Sequence, residues 1–274
     1  MAVLAAGDTR ILSGGTDFYP ALGERVVRDA VVDVSALGEL RGVSREAGHF
    51  RIGGLTTWTE IIQTPLPRCF DALKSAAREV GSVQIQNRGT VAGNLCNASP
   101  AADGVPPLLA LDAEIELVSQ AGLRRMPLVD FIIGNRRTQR KPDELLTAVL
   151  VPCGLEDAAS TFLKLGARRY LVISISMVAV VVQLSDDRSG DQSDDRRVLK
   201  ARIAVGSCAA VAQRLHALET DLLGVSAHNL GSLVRSEHLA SLSPIDDVRA
   251  TAEYRMDASL RLVQRALNAC VENV

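Results

Sequence analysis

The chain opens on short apolar runs separated by glycine. Arg10 to Leu12, Val31 to Val34 and Phe50 to Ile52 each read as brief strands, and the glycine turns between them predict a small α/β unit over residues 1–55. Thr57 and Glu60 form a capping-box signature that starts a helix through Ile61 and Ile62, and Pro65 and Pro67 end it. From Asp71 to Val80 the period stays helical, with Ala72, Leu73, Ala76 and Val80 on one face. A polar, glycine-rich stretch follows, then a helix-like LLALDA and a strand from Glu114 to Val118, which complete a second unit over 56–152. Pro152, Cys153 and Gly154 mark a boundary. Beyond it, a long β-branched strand from Val172 to Leu184 and another from Val198 to Val205 predict a hairpin. Helical periods run from Ala209 to Leu223 and from Glu253 to Val271, so residues 153–274 read as antiparallel strands plus helices. The fold class expected for the whole chain is α+β.

Two stretches interrupt these periods. In SGGTDFYP, an apolar strand runs into Ser13, Gly14, Gly15, Thr16 and Asp17, and such a junction presents consecutive backbone N–H donors to an anion. In GTVAGNLCNASPAAD, residues 89–103, Gly89 and Gly93 can take positive φ and admit close backbone approach. Thr90, Val91, Ala92, Gly93 and Asn94 form the core of that loop. Asn94, Asn97 and Ser99 add short polar side chains, and Asp103 adds an acceptor suited to sugar-type hydroxyls. Neither stretch is a GxGxxG fingerprint or a Walker loop. One dinucleotide held by two loops is the simplest reading.

Both loops resemble those of the medium, FAD-binding subunit of the molybdenum hydroxylases, a family that includes bacterial xanthine dehydrogenase, carbon monoxide dehydrogenase and 4-hydroxybenzoyl-CoA reductase. The similarity runs through GGTD, QNRGTVAGNLCNASPAAD, LLALDAEIEL, DELLTAVLVP and FLKLGARRYLVIS. It implies an FAD-binding region of two α/β subdomains of the PCMH type, followed by a domain of antiparallel strands with a helical bundle. Family members carry a longer segment before the first glycine loop, whereas here MAVLAAGDTR precedes Ile11. The resemblance further implies that Ser13 to Asp17 and Thr90 to Asn94 meet the pyrophosphate, and that Asn97 and Asp103 hold ribityl or neighbouring hydroxyls. By motif position, Leu145 would pack on the flavin ring and Lys164 would place positive charge beside it. It also implies partners: a small subunit with [2Fe–2S] clusters and a large subunit with the molybdopterin cofactor.

Composition narrows the remaining classes. The chain has 274 residues, 47% of them hydrophobic, with a net charge of −2, which gives no bulk drive toward nucleic acid or an anionic membrane. The apolar run from Leu171 to Leu184 is broken by Ser174 and Ser176 and is too short for a membrane span. The opening residues lack the pattern of a signal peptide, so a cytoplasmic protein is expected. Five scattered cysteines offer no zinc or cluster spacing and read as reduced thiols. No histidine falls in either loop, so FAD is expected to be noncovalent.

Several features stay open at this level. Cys96 is either a small packed group or part of the ligand loop. The basic run Arg136, Arg137, Arg140 and Lys141 is either an exposed loop or a docking patch for an acidic partner. The charged segment 185–197 reads as a solvated hairpin tip. Tyr170 packs between domains or lies near the flavin. Rival functions are a free-standing FAD oxidoreductase similar to the enolpyruvyl reductases, and a scaffold that has lost its cofactor. No acid/base constellation in the C-terminal half supports the first, and intact glycines in both loops oppose the second.

Overall fold

A computed structural model describes residues 1–272 apart from 6, 8 and 186–195. Its central sheet has five antiparallel strands, in the order Val43–Glu46, His49–Gly53, Leu145–Pro152, Glu114–Ser119 and Gly122–Pro127. Leu145–Pro152 lies in the middle and is buried along all but its last residue, which explains a run with no polar alternation. Helices Trp58–Gln63, Asp71–Glu79, Val91–Asn97 and Val105–Ala110 contribute Trp58, Leu73, Leu95 and Leu108 to the core over this sheet. The capping box forms: Thr57 N–H donates to Glu60 Oε2 at 2.6 Å, and Glu60 N–H donates to Thr57 Oγ1 at 3.2 Å.

The expected division at residue 55 cuts through this sheet. Phe50 pairs with Val151 and Ile52 with Val149, and both Phe50 and Ile52 are buried in the same core as Phe70 and Leu73. Burial of those side chains takes residues 43–53 into the second unit. What stays apart is a parallel pair, Thr9–Leu12 with Ala30–Asp33, preceded by a short helix Ala2–Ala5. A small cluster of Leu4, Val34, Leu40, Leu55 and Leu145 ties it to the rest.

The last domain carries a four-stranded antiparallel sheet, ordered Ala159–Leu165, Ser176–Leu184, Val198–Gly206 and Gln213–Arg214. Its second strand is buried on both faces, alternately. Met177, Ala179 and Val181 join the core over the central sheet, while Val178, Val180 and Val182 pack with Leu262, Val263 and Ala266 of the helix Ala252–Glu272. The expected hairpin is present, but its first strand starts at Ser176 rather than Val172. Residues before it turn instead: Leu171 has φ of 52°, and Arg168 donates to its carbonyl. Within Ala209 to Leu223, only His216–Asp221 is α-helical, because Gln213 and Arg214 extend to pair with Val205 and Ala204. Of the charged segment 185–197, residues 186–195 lie outside the described residues.

One buried ion pair joins the two halves. Lys164 Nζ, on the first strand of the C-terminal sheet, donates to Asp103 Oδ2 at 2.8 Å, and Ser174 Oγ donates to Asp103 Oδ1 at 2.9 Å. Both charged side chains are less than a tenth exposed. Removing one partner of such a pair leaves the other charge buried and alone. Lys164→Met is therefore expected to lower stability by about 3 to 5 kcal/mol, and adding Asp103→Asn should restore part of that loss. Denaturant midpoints of the two variants check this; equal midpoints for Lys164→Met and wild type would contradict it.

Candidate functional site

A cleft of about 840 Å³ opens where the two glycine loops meet. Its walls include Ser13 to Asp17, Thr90, Ala92, Gly93, Asn94 and Asn97, with Leu145 from the central strand. Eleven of the fourteen residues singled out from the sequence thus converge. The other three do not: Val91 is fully buried in the core, and Asp103 and Lys164 are absent from the lining because each is engaged by the other. Asp103 and Lys164 therefore pair with each other at the domain joint rather than line the cleft. Burial pushes the Asp103 carboxyl above the usual range, more than Lys164 and Ser174 pull it down.

The glycines act mainly by being small. A Cβ at Gly14 would overlap the carbonyl oxygen of Arg88, and one at Gly93 would stand 2.8 Å from Thr90 Oγ1 and 3.3 Å from Ser13 Oγ. Gly104 is likewise pressed on Trp58. Contrary to the sequence expectation, neither Gly89 nor Gly93 has positive φ; of the loop glycines, Gly15 does, at 76°. With no side chains between them, the loops touch, and the Ser13 and Thr90 hydroxyls lie 3.2 Å apart.

The two loops differ in what they can offer a ligand. Around the start of the helix Val91–Asn97 the amides are already engaged: Val91 N–H donates to Thr56 O, Ala92 N–H to Gly54 O, Gly93 N–H to Thr90 Oγ1 and Asn94 N–H to Thr90 O. The physical reason is close docking of this helix against the turn at 54–56, where Thr57 and Thr90 form an antiparallel bridge. The amides of 91–94, which the sequence suggested as an anion cradle, thus already have acceptors within the protein. Residues 14–17 are the reverse. None of the N–H groups of Gly14, Gly15, Thr16 and Asp17 has an acceptor among the described residues. Four adjacent amides without partners beside a cleft are donors that an anion can satisfy. In addition, Asn94 Oδ1 is buried with no protein partner, a polar group that a ligand donor can satisfy.

Charge follows the same pattern. Arg10, Arg136, Arg137 and Arg140 line the cleft, with Asp17 the one carboxylate among its described lining residues. The basic run read as an exposed loop or docking patch thus borders the cleft at three of its four members, with Arg136 and Arg137 still exposed. Sequence reasoning could not see this because it depends on a hairpin, Ile132–Gly134 with Arg137–Thr138, that folds back on the second loop. Arg136 N–H donates to Ala98 O at 2.8 Å, and its guanidinium donates to Asn97 Oδ1 at 2.5 Å. Asn97 is thereby an anchor for the hairpin as well as a lining residue. Glu144, also missed, holds the next turn: it takes a two-pronged contact from Arg124 at 2.6 and 2.8 Å and a bond from Lys141 N–H. The Arg124 guanidinium holds the Glu144 carboxyl below the usual range. Cys96 lines the cleft, and burial pushes its thiol up to about 11, so it is a protonated, packed group. Tyr170 is exposed, with Arg169 over its ring, and does not line the cleft. No group of three or more metal-ligating side chains occurs among the described residues, and no described helix is long and apolar enough to cross a membrane.

Comparison with known proteins agrees with this geometry. Residues 1–154 match the FAD binding domain in molybdopterin dehydrogenase, and residues 161–270 match the CO dehydrogenase flavoprotein C-terminal domain. The nicotinate dehydrogenase FAD-subunit of Eubacterium barkeri is 39% identical over 181 residues, covering 64% of this chain and 61% of that one. A putative xanthine dehydrogenase FAD-binding subunit of Escherichia coli is 30% identical over 268 residues, covering 96% and 88%. In the solved structure of reconstituted CO dehydrogenase from Oligotropha carboxidovorans, one chain superimposes with a TM-score of 0.85 at 25% identity, covering 100% of this chain and 94% of that chain. This chain belongs to the FAD-binding medium subunits of the molybdopterin dehydrogenases, and its cofactor is FAD.

Proposed function

We propose that the chain holds FAD noncovalently in the cleft between residues 13–17 and 90–97 and acts as an electron-transfer subunit. In this reading it takes electrons from the [2Fe–2S] clusters of a small partner subunit, fed by a molybdopterin-binding large subunit, and passes them to an external acceptor. The observation that carries the proposal is the run of four unpartnered amides at Gly14 to Asp17, set in a cleft walled by arginine. Such donors suit a dianionic pyrophosphate. The relatives matched are themselves named as subunits, which supports an assembly of several chains.

FAD, once bound, supplies the redox chemistry, and the protein's part is to bind, orient and shield. The amides of residues 14–17 neutralise phosphate oxygens. Thr16, Asn94 and Asn97 offer short polar side chains along the cleft, and Leu145 gives an apolar surface on which a ring can rest. Since no histidine lines the cleft among the described residues, attachment through one is not expected.

Acid denaturation of the purified chain should release a yellow supernatant with the absorption of free FAD; colour retained by the precipitate would contradict noncovalent binding. Gly14→Ala forces the first loop off Arg88, so it should cost about 1 to 3 kcal/mol as an overpacked contact and weaken FAD roughly tenfold or more. Wild-type affinity by fluorescence titration in that variant would show that loop contact is not required. Copurification from the native host should bring down iron–sulfur and molybdopterin chains, with flavin reduced only when those chains and their substrate are present. Turnover of a small substrate by the isolated chain would favour a free-standing oxidoreductase.

A further inference from the structure

Among the described residues, four arginines and a single carboxylate line the cleft, and three of the four arginines have their guanidinium groups engaged. Arg10 pairs with Asp29 at 3.6 Å and stacks on Phe18 at 4.6 Å. Arg140 donates to the carbonyls of Lys141, Pro142 and Glu144. Arg136 donates to Asn97. Arg137 is different: its guanidinium has no hydrogen-bond or ion-pair partner among the described residues. Its position is nonetheless built. Arg136, beside it at the hairpin tip, has φ of 54°, a left-handed conformation that costs energy for a side chain with a Cβ. Two bonds, to Ala98 O and Asn97 Oδ1, hold that conformation and fasten the hairpin to the end of the helix Val91–Asn97. A strained, doubly anchored tip that presents one unpartnered cation to a cleft is the arrangement expected where an anion completes the site.

We propose that Arg137 is a second phosphate-binding element of the cleft, acting with the amides of residues 14–17 on a dinucleotide phosphate. The inference rests on the FAD reading above. A guanidinium suits phosphate because its planar fork matches two oxygens at once. The phosphate has two possible sources: the pyrophosphate of FAD, or that of a nicotinamide dinucleotide arriving as electron acceptor. An acidic partner protein fits less well, because Arg136 and Arg140 beside it line the same cleft.

The test compares the wild-type chain with Arg137→Gln, a change at an exposed residue that leaves the fold intact. Flavin-free protein is titrated with FAD and with riboflavin, which lacks phosphate, at two ionic strengths. If Arg137 meets the FAD pyrophosphate, the variant binds FAD about tenfold more weakly with a shallower salt dependence, and riboflavin is unaffected. If the phosphate is that of the acceptor, FAD affinity is unchanged and the FAD-loaded variant binds NAD about tenfold more weakly. Inorganic pyrophosphate supplies an arm independent of flavin: it should raise the Tm of the wild type and raise that of the variant less. Equal FAD and NAD affinities in both proteins, or equal Tm shifts with pyrophosphate, would overturn the role of Arg137. Failure of the wild type to bind FAD at all, with the pyrophosphate difference intact, would instead overturn the FAD reading alone.

Discussion

At Gly14 the first loop crosses the backbone of Arg88 and Gly89 so closely that no side chain fits between them. The cleft depends on this contact. It brings Ser13 to within hydrogen-bonding distance of Thr90, sets residues 14–17 beside the helix Val91–Asn97, and closes one wall against the strand that carries Leu145. Because the helix is docked on the turn at 54–56 with its first amides engaged, it behaves as a fixed base. The first loop, whose amides at 14–17 have no partner among the described residues, is the part left to meet a ligand. A protein that must hold a large cofactor gains from this division, since the base needs no ordering when the ligand arrives.

The rest of the architecture supports that base. Trp58, fully buried, fills the space between Gly89 and Gly104, so the two ends of the long motif are packed on one ring. The C-terminal sheet offers Met177, Ala179 and Val181 to the same core and locks to the motif through Asp103, Lys164 and Ser174. The last domain thereby packs against the segment that follows the second loop, and none of its described residues lines the cleft.

Much of this was legible in the sequence because local rules and tertiary demands agree there. The capping box at Thr57 and Glu60, the amphipathic run Asp71 to Val80 and the two glycine loops each declare themselves by residue type and spacing. What could not be read depends on partners distant in the chain. The strand His49–Gly53 looks local but belongs with Leu145–Pro152, some hundred residues on. Asp103 reads as a free acceptor until Lys164 is seen 2.8 Å away, 61 positions later. Likewise, Arg136 to Arg140 read as surface charge because nothing in their own sequence shows that Asn97 and Ala98 pull the hairpin over the cleft. The loop glycines stand out by residue type and spacing, yet most serve close packing, and the positive-φ role falls on Gly15.

The central claim is that the first loop's amides, and not those of the helix Val91–Asn97, receive the cofactor. Amide hydrogen exchange with and without FAD tests it directly, because exchange reports whether each N–H has a partner. Amides 14–17 should exchange rapidly in the flavin-free chain and become protected when FAD is added, while those of 91–94 should be protected in both states. Exchange at 14–17 that ignores FAD, or protection at 91–94 that appears only with it, would contradict the account.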